Sequence, residues 1–158
     1  MLFRSLPAAE RFHLATRIDR WVLKAVVAQL QRAGAHACDA TLSVNLSGQS
    51  IGDRAFHQQA LELLRGAGRE VCQRLYLEIT ETVAVTNMGD AARFIDQVRT
   101  LGVRVALDDF GAGASSFGYL KSLAIDCIKI DGQFIRDLVT DPLDEAAVRC
   151  FVDRSEEH

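Results

Sequence analysis

Two adjacent acids, Asp108 and Asp109, stand at the end of an apolar run and directly before a glycine-rich turn. Adjacent carboxylates repel each other, so a fold that holds them side by side favours a bound cation. The same order, an apolar run followed by a residue of ligand type, recurs at Asn45, Glu78 and Lys129. We interpret these positions as parts of one site.

The chemistry of this candidate site follows from its donor atoms. Asn45, Glu78, Asp108 and Asp109 all offer oxygen, which suits the hard cations Mg²⁺ and Mn²⁺. Two acids in sequence can hold two ions, and a two-metal site stabilises both the attacking and the leaving oxygen of a phosphoryl displacement. The charge of Lys129 could orient the attacking water or neutralise a phosphate oxygen.

Each of these residues also has a purely structural interpretation. Asn45 can form a turn, Glu78 can cap a helix or pair with an arginine, and Lys129 can pair with Asp131. Glu81, just past Glu78, is predicted to brace the loop after the two acids instead of touching a metal. The shared position at strand ends favours the joint interpretation as a site.

Alternating hydrophobic patterns indicate the elements that position these residues. Strands are predicted at residues 41–47, 75–79, 103–107 and 126–130, because apolar and other side chains alternate there. A leading helix is predicted from Arg17 to Gly34, with its apolar positions at Ile18, Trp21, Val22, Ala25, Val26 and Leu30. Further helices are predicted near Pro7–Glu10, after the N-cap Asp53 and from the N-cap Asp90 to Gly102. A short helix is predicted to begin at Ser115 or Ser116, and another after Gly132. A turn is predicted at Asp141–Pro142.

The alternation of strand and helix predicts an α/β fold with parallel strands. The candidate residues recur at intervals of roughly 20 to 33 residues, which fits strand, crossover helix and return. Each strand has one branched apolar face and one smaller or polar face with a ligand-type residue near its carboxyl end. A barrel, whose C-terminal rim carries active sites, explains this better than an open sheet covered on both faces.

Length, composition and charge narrow the class of protein. A chain of 158 residues with 49% hydrophobic and 25% charged residues is typical of one soluble domain. A net charge of −3 gives no general attraction to DNA, RNA or anionic membranes. No membrane span or secretory signal is recognisable, and the four scattered cysteines lack zinc spacing, so we expect a cytoplasmic location.

Four segments resemble the EAL domain family, phosphodiesterases that cleave the bacterial second messenger cyclic di-GMP. Residues 43–47 (Ser-Val-Asn-Leu-Ser) are similar to an Asn-Leu-Ser strand of the family, and residues 77–81 (Leu-Glu-Ile-Thr-Glu) to its Glu-Ile/Leu-Thr-Glu motif. Residues 108–113 (Asp-Asp-Phe-Gly-Ala-Gly) are similar to its Asp-Asp-Phe-Gly loop, and residues 128–131 (Ile-Lys-Ile-Asp) to its Lys-Ile-Asp strand. The resemblance implies a TIM-like (β/α) barrel, of which this chain is predicted to hold about four parallel βα units and a leading helix.

The resemblance also implies a role for each residue of these motifs. Asn45, Glu78, Asp108 and Asp109 would bind two Mg²⁺ or Mn²⁺ ions, and Lys129 and Asp109 would be catalytic. Glu81 would stabilise the loop after Asp109, and Ser47 and Asp131 would contact the substrate. The implied reaction is hydrolysis of cyclic di-GMP to linear pGpG.

Departures from the family pattern limit this expectation. No Glu-Ala-Leu tripeptide occurs, and the later strands with another metal-binding glutamate have no counterpart. We therefore expect residues 1–151 to be the central part of an EAL domain, truncated at both ends and inactive alone, and residues 152–158 to be a non-family tail. Whether the chain itself is an enzyme stays open.

Two other functions remain as alternatives. The first is a catalytically incompetent regulatory module that binds cyclic di-GMP without cutting it. The second is a half barrel without nucleotide function that forms a homodimer through its exposed strand edges.

Overall fold

Helices and strands alternate along the chain in the computed structural model, which describes residues 14–34, 40–111 and 117–130. The α-helices are α1 (Ala15–Ala33), α2 (Gly48–Ile51), α3 (Arg54–Ala67), α4 (Arg69–Cys72), α5 (Glu81–Thr86) and α6 (Met88–Thr100). The strands are β1 (Leu42–Asn45), β2 (Leu75–Thr80), β3 (Arg104–Phe110) and β4 (Cys127–Ile130), and a 3₁₀ helix spans Phe117–Ser122.

The four described strands form one sheet in the order β1-β2-β3-β4, and every neighbouring pair is parallel. Strands that follow each other in the chain are therefore neighbours in the sheet, as repeated βα units require. The predicted α/β fold with four parallel strands and a leading helix is confirmed.

The two faces of the sheet differ as the alternation of side chains predicts. Val44, Leu77 and Val105 are at most 1% exposed and belong to the hydrophobic core. On the other face Ser43 and Asn45 are exposed in β1. One face is thus packed under helices, and the other carries the candidate site residues.

Helices α3 and α6 cover the buried face and meet through aromatic side chains. The rings of Phe56 and Phe94 lie 6.2 Å apart, and the imidazole of His57 stacks on Phe94 at 4.4 Å. Both phenylalanines are 1% exposed. These contacts fix the two crossover helices against each other and against the strands beneath them.

The leading helix α1 exists as predicted. Its predicted apolar face is right at Leu30, which is buried, and at Val22 and Val26, which pack against the core, but wrong at Ile18 and Trp21. Trp21 is 71% exposed and Ile18 is 40% exposed. The buried stripe consists of Ala15, Asp19, Leu23, Val27 and Leu30. The physical reason is that an acid, Asp19, occupies a buried position where it accepts hydrogen bonds, which a hydrophobic pattern does not reveal.

The predicted caps have different outcomes. Asp53 caps α3, since its carboxylate accepts a hydrogen bond from the Ala55 N–H at 2.8 Å. The prediction of Asp90 as a cap is wrong, because α6 begins earlier, at Met88, with Asn87 in the cap position. Asp90 lies in the first turn of α6.

Asn87 links α5 to α6 and explains this earlier start. Its side chain donates to the Val83 carbonyl at 3.2 Å, and its own carbonyl accepts from the Ala91 N–H at 2.8 Å. Gly102, which follows α6, has a φ of 102°, a positive value as expected for a glycine after a helix.

Strand boundaries shift slightly from the predicted ranges. β3 extends to Phe110, so the two acids lie inside the strand and not after it. The predicted helices at Pro7–Glu10 and after Gly132, the helix start at Ser115 or Ser116 and the turn at Asp141–Pro142 lie outside the described residues. In the described part of the chain, no helix has the length and apolar character needed to span a membrane.

Candidate functional site

Three of the predicted site residues stand near the carboxyl ends of neighbouring strands. Asn45 at the end of β1 is the register partner of Glu78 in β2. Asp108 in β3 is the partner of Thr80, the last residue of β2. Because parallel strands end at the same edge of a sheet, these residues share one end of the sheet.

An irregularity in the sheet lies at the two adjacent acids. The pairing of β3 with β4 is regular up to Leu107, which is opposite Ile128, and resumes at Phe110, which is opposite Ile130. Two residues of β3 therefore stand against the single residue Lys129 of β4. This is the geometry of a β-bulge, which changes the direction in which side chains point.

The two residues in the bulge are Asp108 and Asp109. Asp109 has a φ of 54°, the only positive value for a residue other than glycine in the described ranges. Aspartate is among the residues that tolerate this left-handed conformation. The Asp109 N–H donates to Asp108 Oδ1 at 3.1 Å. The bulge, which the strand pattern does not predict, thus sets the positions of both acids.

Glu78 and Lys129 form an ion pair across the sheet, with 2.6 Å between Oε2 and Nζ. The side chain of Glu78 is 6% exposed and that of Lys129 is 46% exposed. The lysine therefore reaches from solvent to a buried carboxylate. It also experiences the charge of Asp108, so Lys129 interacts electrostatically with both Glu78 and Asp108.

The pKa values of both partners shift towards the charged forms. Burial alone would raise the pKa of the Glu78 carboxyl, but hydrogen bonds from Lys129 and Ser43 outweigh it and lower the pKa. The pKa of Lys129 is raised, mainly by its hydrogen bond to Glu78, which outweighs the opposite effect of burial. The sequence pattern predicts no role for Ser43, although it lies on the same strand face as Asn45.

Glu81 contacts the chain on both sides of residues 112–116. This carboxylate is 4% exposed. Its Oε2 accepts from the Gly111 N–H at 3.1 Å, and its Oε1 accepts from the Tyr119 hydroxyl at 2.8 Å. Burial and the bond to Glu81 raise the pKa of Tyr119. The contact of Glu81 with this loop agrees with the sequence-based prediction, whereas its partner Tyr119 was not predicted.

Of the two predicted substrate-binding residues, only Ser47 belongs to the described structure. Ser47 is the cap of α2, where its hydroxyl oxygen accepts from the Ser50 N–H at 3.3 Å. Asp131 lies outside the described residues.

The donors suit a divalent cation in chemical type and in strand position. All four predicted ligands offer oxygen atoms, and the lowered pKa of Glu78 favours its ionised form. Within residues 14–34, 40–111 and 117–130, however, no three or more histidines, cysteines or acids converge closely enough to hold a metal ion. The carboxylate of Glu78 instead contacts the ammonium group of Lys129.

Comparison with known proteins identifies the family. The EAL domain model matches residues 2–158 of the chain. The chain therefore belongs to the EAL domain family. The match includes residues 152–158, whose assignment to a non-family tail remains a prediction.

One curated relative is the cyclic di-GMP phosphodiesterase PdeB of Shewanella oneidensis, 37% identical over 154 residues. This alignment covers 94% of the chain and 17% of PdeB. The chain thus spans about a fifth of the length of the curated relatives it matches.

Two solved structures share the fold. The FimX EAL domain has a TM-score of 0.82 at 28% identity, over 99% of the chain and 62% of that domain. The PaMucR phosphodiesterase in complex with c-di-GMP has a TM-score of 0.77 at 32% identity, over 95% and 65%. EAL domains are TIM-like barrels, so the four described strands correspond to part of such a barrel.

Proposed function

We propose that the protein acts as an EAL-type phosphodiesterase that hydrolyses cyclic di-GMP to linear pGpG. The observation that carries the proposal is the Glu78–Lys129 ion pair beside the Asp108–Asp109 bulge, at one end of a parallel sheet. Relatives named cyclic di-GMP phosphodiesterases and a structural neighbour in complex with c-di-GMP support the choice of substrate.

In this proposal Mg²⁺ or Mn²⁺ is held by Asn45, Glu78, Asp108 and Asp109. When bound, such ions lower the pKa of water and offset the negative charge of a phosphodiester. The protein supplies a buried carboxylate that remains ionised and a bulge that presents two acids from consecutive positions. Asp109 would additionally take a catalytic role, and Ser47 and Asp131 would contact the substrate.

Lys129 would act as a cation and not as a general base. Its raised pKa keeps the ammonium group protonated at neutral pH. A protonated amine cannot accept a proton from water, but it can neutralise a phosphate oxygen or hold a water molecule by donating a hydrogen bond. The exposed fraction of the side chain allows it to reach a ligand from its contact with Glu78.

Because residues 1–158 alone are expected to be inactive, the proposal is tested on a complete EAL barrel that contains these residues. Hydrolysis of cyclic di-GMP in the presence of Mn²⁺ is measured there as pGpG by chromatography. We expect Glu78→Gln to lower turnover at least about 100-fold, because the neutral amide is a weaker ligand and lacks the charge that pairs with Lys129. The matched control is Glu62→Gln, an exposed glutamate of α3, which should leave turnover unchanged. Equal activity in wild type and Glu78→Gln would contradict the assignment of the site.

A second candidate is a regulatory module that binds cyclic di-GMP without cutting it. Two observations favour it. The carboxylate of Glu78 contacts the ammonium group of Lys129, and within the described ranges no three histidines, cysteines or acids lie close enough together to hold a metal ion. Calorimetry with cyclic di-GMP separates the two functions. Nucleotide binding without pGpG formation, at any Mn²⁺ or Mg²⁺ concentration, would support the module.

A homodimer through strand edges is also proposed. Within the described sheet, β1 and β4 each have one strand neighbour. An unpaired strand edge offers backbone donors and acceptors to a second chain. Sedimentation at several protein concentrations tests this proposal, and a monomer at all of them would contradict it.

We also propose a cytoplasmic location. Cys72 and Cys127 are free thiols. Unpaired cysteines are typical of a reducing compartment.

A further inference from the structure

A buried acid on the leading helix contacts the segment that follows β1. Asp19 is 7% exposed, and its Oδ2 accepts hydrogen bonds from the Ser47 N–H at 2.8 Å and from the Ser50 hydroxyl at 2.6 Å. Ser50 is completely buried. In the described part of the chain, Asp19 has no ion-pair partner within 4.0 Å.

These bonds determine how the chain leaves the sheet next to Asn45. The Leu46 N–H still donates to the Glu78 carbonyl at 2.9 Å, as a continuing strand would. The next amide, that of Ser47, points away from β2, as alternate amides of a strand do, and donates to Asp19. Asn45 is therefore followed by two amides with fixed partners, one on β2 and one on α1.

Burial of a carboxylate without a cation is unfavourable unless its hydrogen bonds compensate. An apolar side chain at this position of α1 would pack against the sheet without that disadvantage. The acid instead accepts an amide hydrogen that the sheet leaves unpaired where β1 ends. The hydrogen bonds of Asp19 therefore act locally, on the position of the segment 45–47.

We infer that Asp19 is a positioning residue for the proposed site: it holds the segment 45–47 and thereby keeps Asn45 beside its register partner Glu78. The inference rests on the proposed function, since it gives Asn45 a role in metal binding. Asp19 itself contacts neither substrate nor metal.

Two variants separate positioning from general stability. Asp19→Ala removes both hydrogen bonds, whereas Asp19→Asn can keep them, because one amide oxygen can replace Oδ2 as the acceptor of both. Asp53→Ala is the matched control, because it removes an acid that caps α3 and does not contact the segment 45–47.

Amide hydrogen exchange, measured without any ligand, tests whether Asp19 holds the segment 45–47. In Asp19→Ala we expect the Ser47 amide to exchange at least about 10-fold faster relative to core amides of β2, and in Asp19→Asn to remain near the wild-type rate. Asp53→Ala should leave the relative rate unchanged. An unchanged Ser47 rate in Asp19→Ala would overturn the inference.

The Mn²⁺ concentration that gives half-maximal hydrolysis of cyclic di-GMP, or half-maximal binding of the nucleotide, tests the functional part. We expect it to rise about 10-fold in Asp19→Ala, to return towards wild type in Asp19→Asn and to stay unchanged in Asp53→Ala. An unchanged Mn²⁺ requirement in Asp19→Ala would overturn the positioning role. A wild-type protein that neither binds nor cleaves the nucleotide would overturn the proposed function, and the exchange rates would still decide whether Asp19 holds the segment.

Discussion

At the scale of single residues, charge pairing decides the state of the candidate site. The buried carboxylate of Glu78 stays ionised because Lys129 and Ser43 donate hydrogen bonds to it, although burial opposes the charge. The same pairing keeps Lys129 protonated. The site therefore combines a fixed negative charge with a positive charge that is partly exposed to solvent.

Replacement of Lys129 by methionine should change the pKa of Glu78 and leave the fold intact. We expect the Glu78 pKa to rise, because burial then acts with less opposition, and stability to fall by about 1–2 kcal/mol at neutral pH. In the proposed reaction, turnover should fall by about 100-fold or more. Urea unfolding at several pH values and pGpG formation measure these effects.

The control for this experiment is Lys121→Met, which removes an exposed lysine of the 3₁₀ helix. It should alter neither stability nor turnover noticeably. If both lysine variants behave alike, the Glu78–Lys129 pair has no special role.

The hydrogen bond between Tyr119 and Glu81 should also make a measurable contribution to the free energy of unfolding. Tyr119→Phe removes a donor from a buried carboxylate, and we expect a loss of about 1–2 kcal/mol in the free energy of unfolding. Tyr76→Phe is the matched control, because the Tyr76 hydroxyl accepts from the exposed Arg104 at 2.7 Å. Denaturant unfolding compares the two, and a larger loss in Tyr76→Phe would contradict the importance of the Glu81 contact.

At the scale of elements, α3 and α6 depend on a neutral histidine between them. His57 is 5% exposed, and its Nε2 donates to the Ile51 carbonyl at 2.8 Å while its ring stacks on Phe94. Burial lowers its pKa, although the Ile51 carbonyl and the charges of Asp90 and Asp53 act in the opposite direction. The packing of these helices is thus coupled to pH.

Stability should fall as the pH is lowered through this histidine. Below the ordinary pKa of 6.5, the unfolded chain binds a proton that the folded protein resists, until the pH reaches the lowered folded pKa. The stabilisation that neutral His57 contributes is fully present above pH 6.5 and decreases as the pH falls below that value. We expect His57→Gln to lose this part of the pH dependence.

Unfolding free energies of wild type and His57→Gln between pH 5 and 8 give the measurement. The difference between their slopes isolates His57 from the carboxyl groups that titrate in both proteins. Parallel curves would show that His57 is not neutralised by burial.

At the scale of the whole molecule, the core lies between the sheet and its covering helices, and aromatic residues occur both in the core and at the surface. Phe94 is 1% exposed and touches both His57 and Phe56, whereas Trp21 is 71% exposed on α1. Size and hydrophobicity therefore do not indicate which aromatic side chain holds the molecule together. Position in the tertiary structure decides it.

Alanine substitutions should show this difference directly. Phe94→Ala should destabilise the protein by about 3–5 kcal/mol, because it leaves a cavity between α3 and α6. Trp21→Ala should change stability by less than about 0.5 kcal/mol. Denaturant unfolding measures both, and comparable losses would show that Trp21 is packed.

Much of the fold could be predicted from local sequence patterns. The alternation in β1 to β3 correctly placed Val44, Leu77 and Val105 in the core, although Glu78 and Ala106 on the opposite face are buried as well. The acid Asp53 and the glycine Gly102 marked the ends of helices, because capping and positive φ depend on local chemistry. The pattern of α1 misled at Trp21 and Asp19, since helical periodicity leaves the buried side of a helix ambiguous when a polar residue is buried.

The sequence alone determined that Asn45, Glu78 and Asp108 stand near the carboxyl ends of consecutive parallel strands, since the two-residue period of a strand and the βα rhythm are local properties. Only the tertiary structure decided that Lys129 pairs with Glu78, that a bulge sets the positions of Asp108 and Asp109, and that Asp19 holds the amide of Ser47. These contacts join residues far apart in the chain. They depend on strand register and helix packing, which no local pattern encodes.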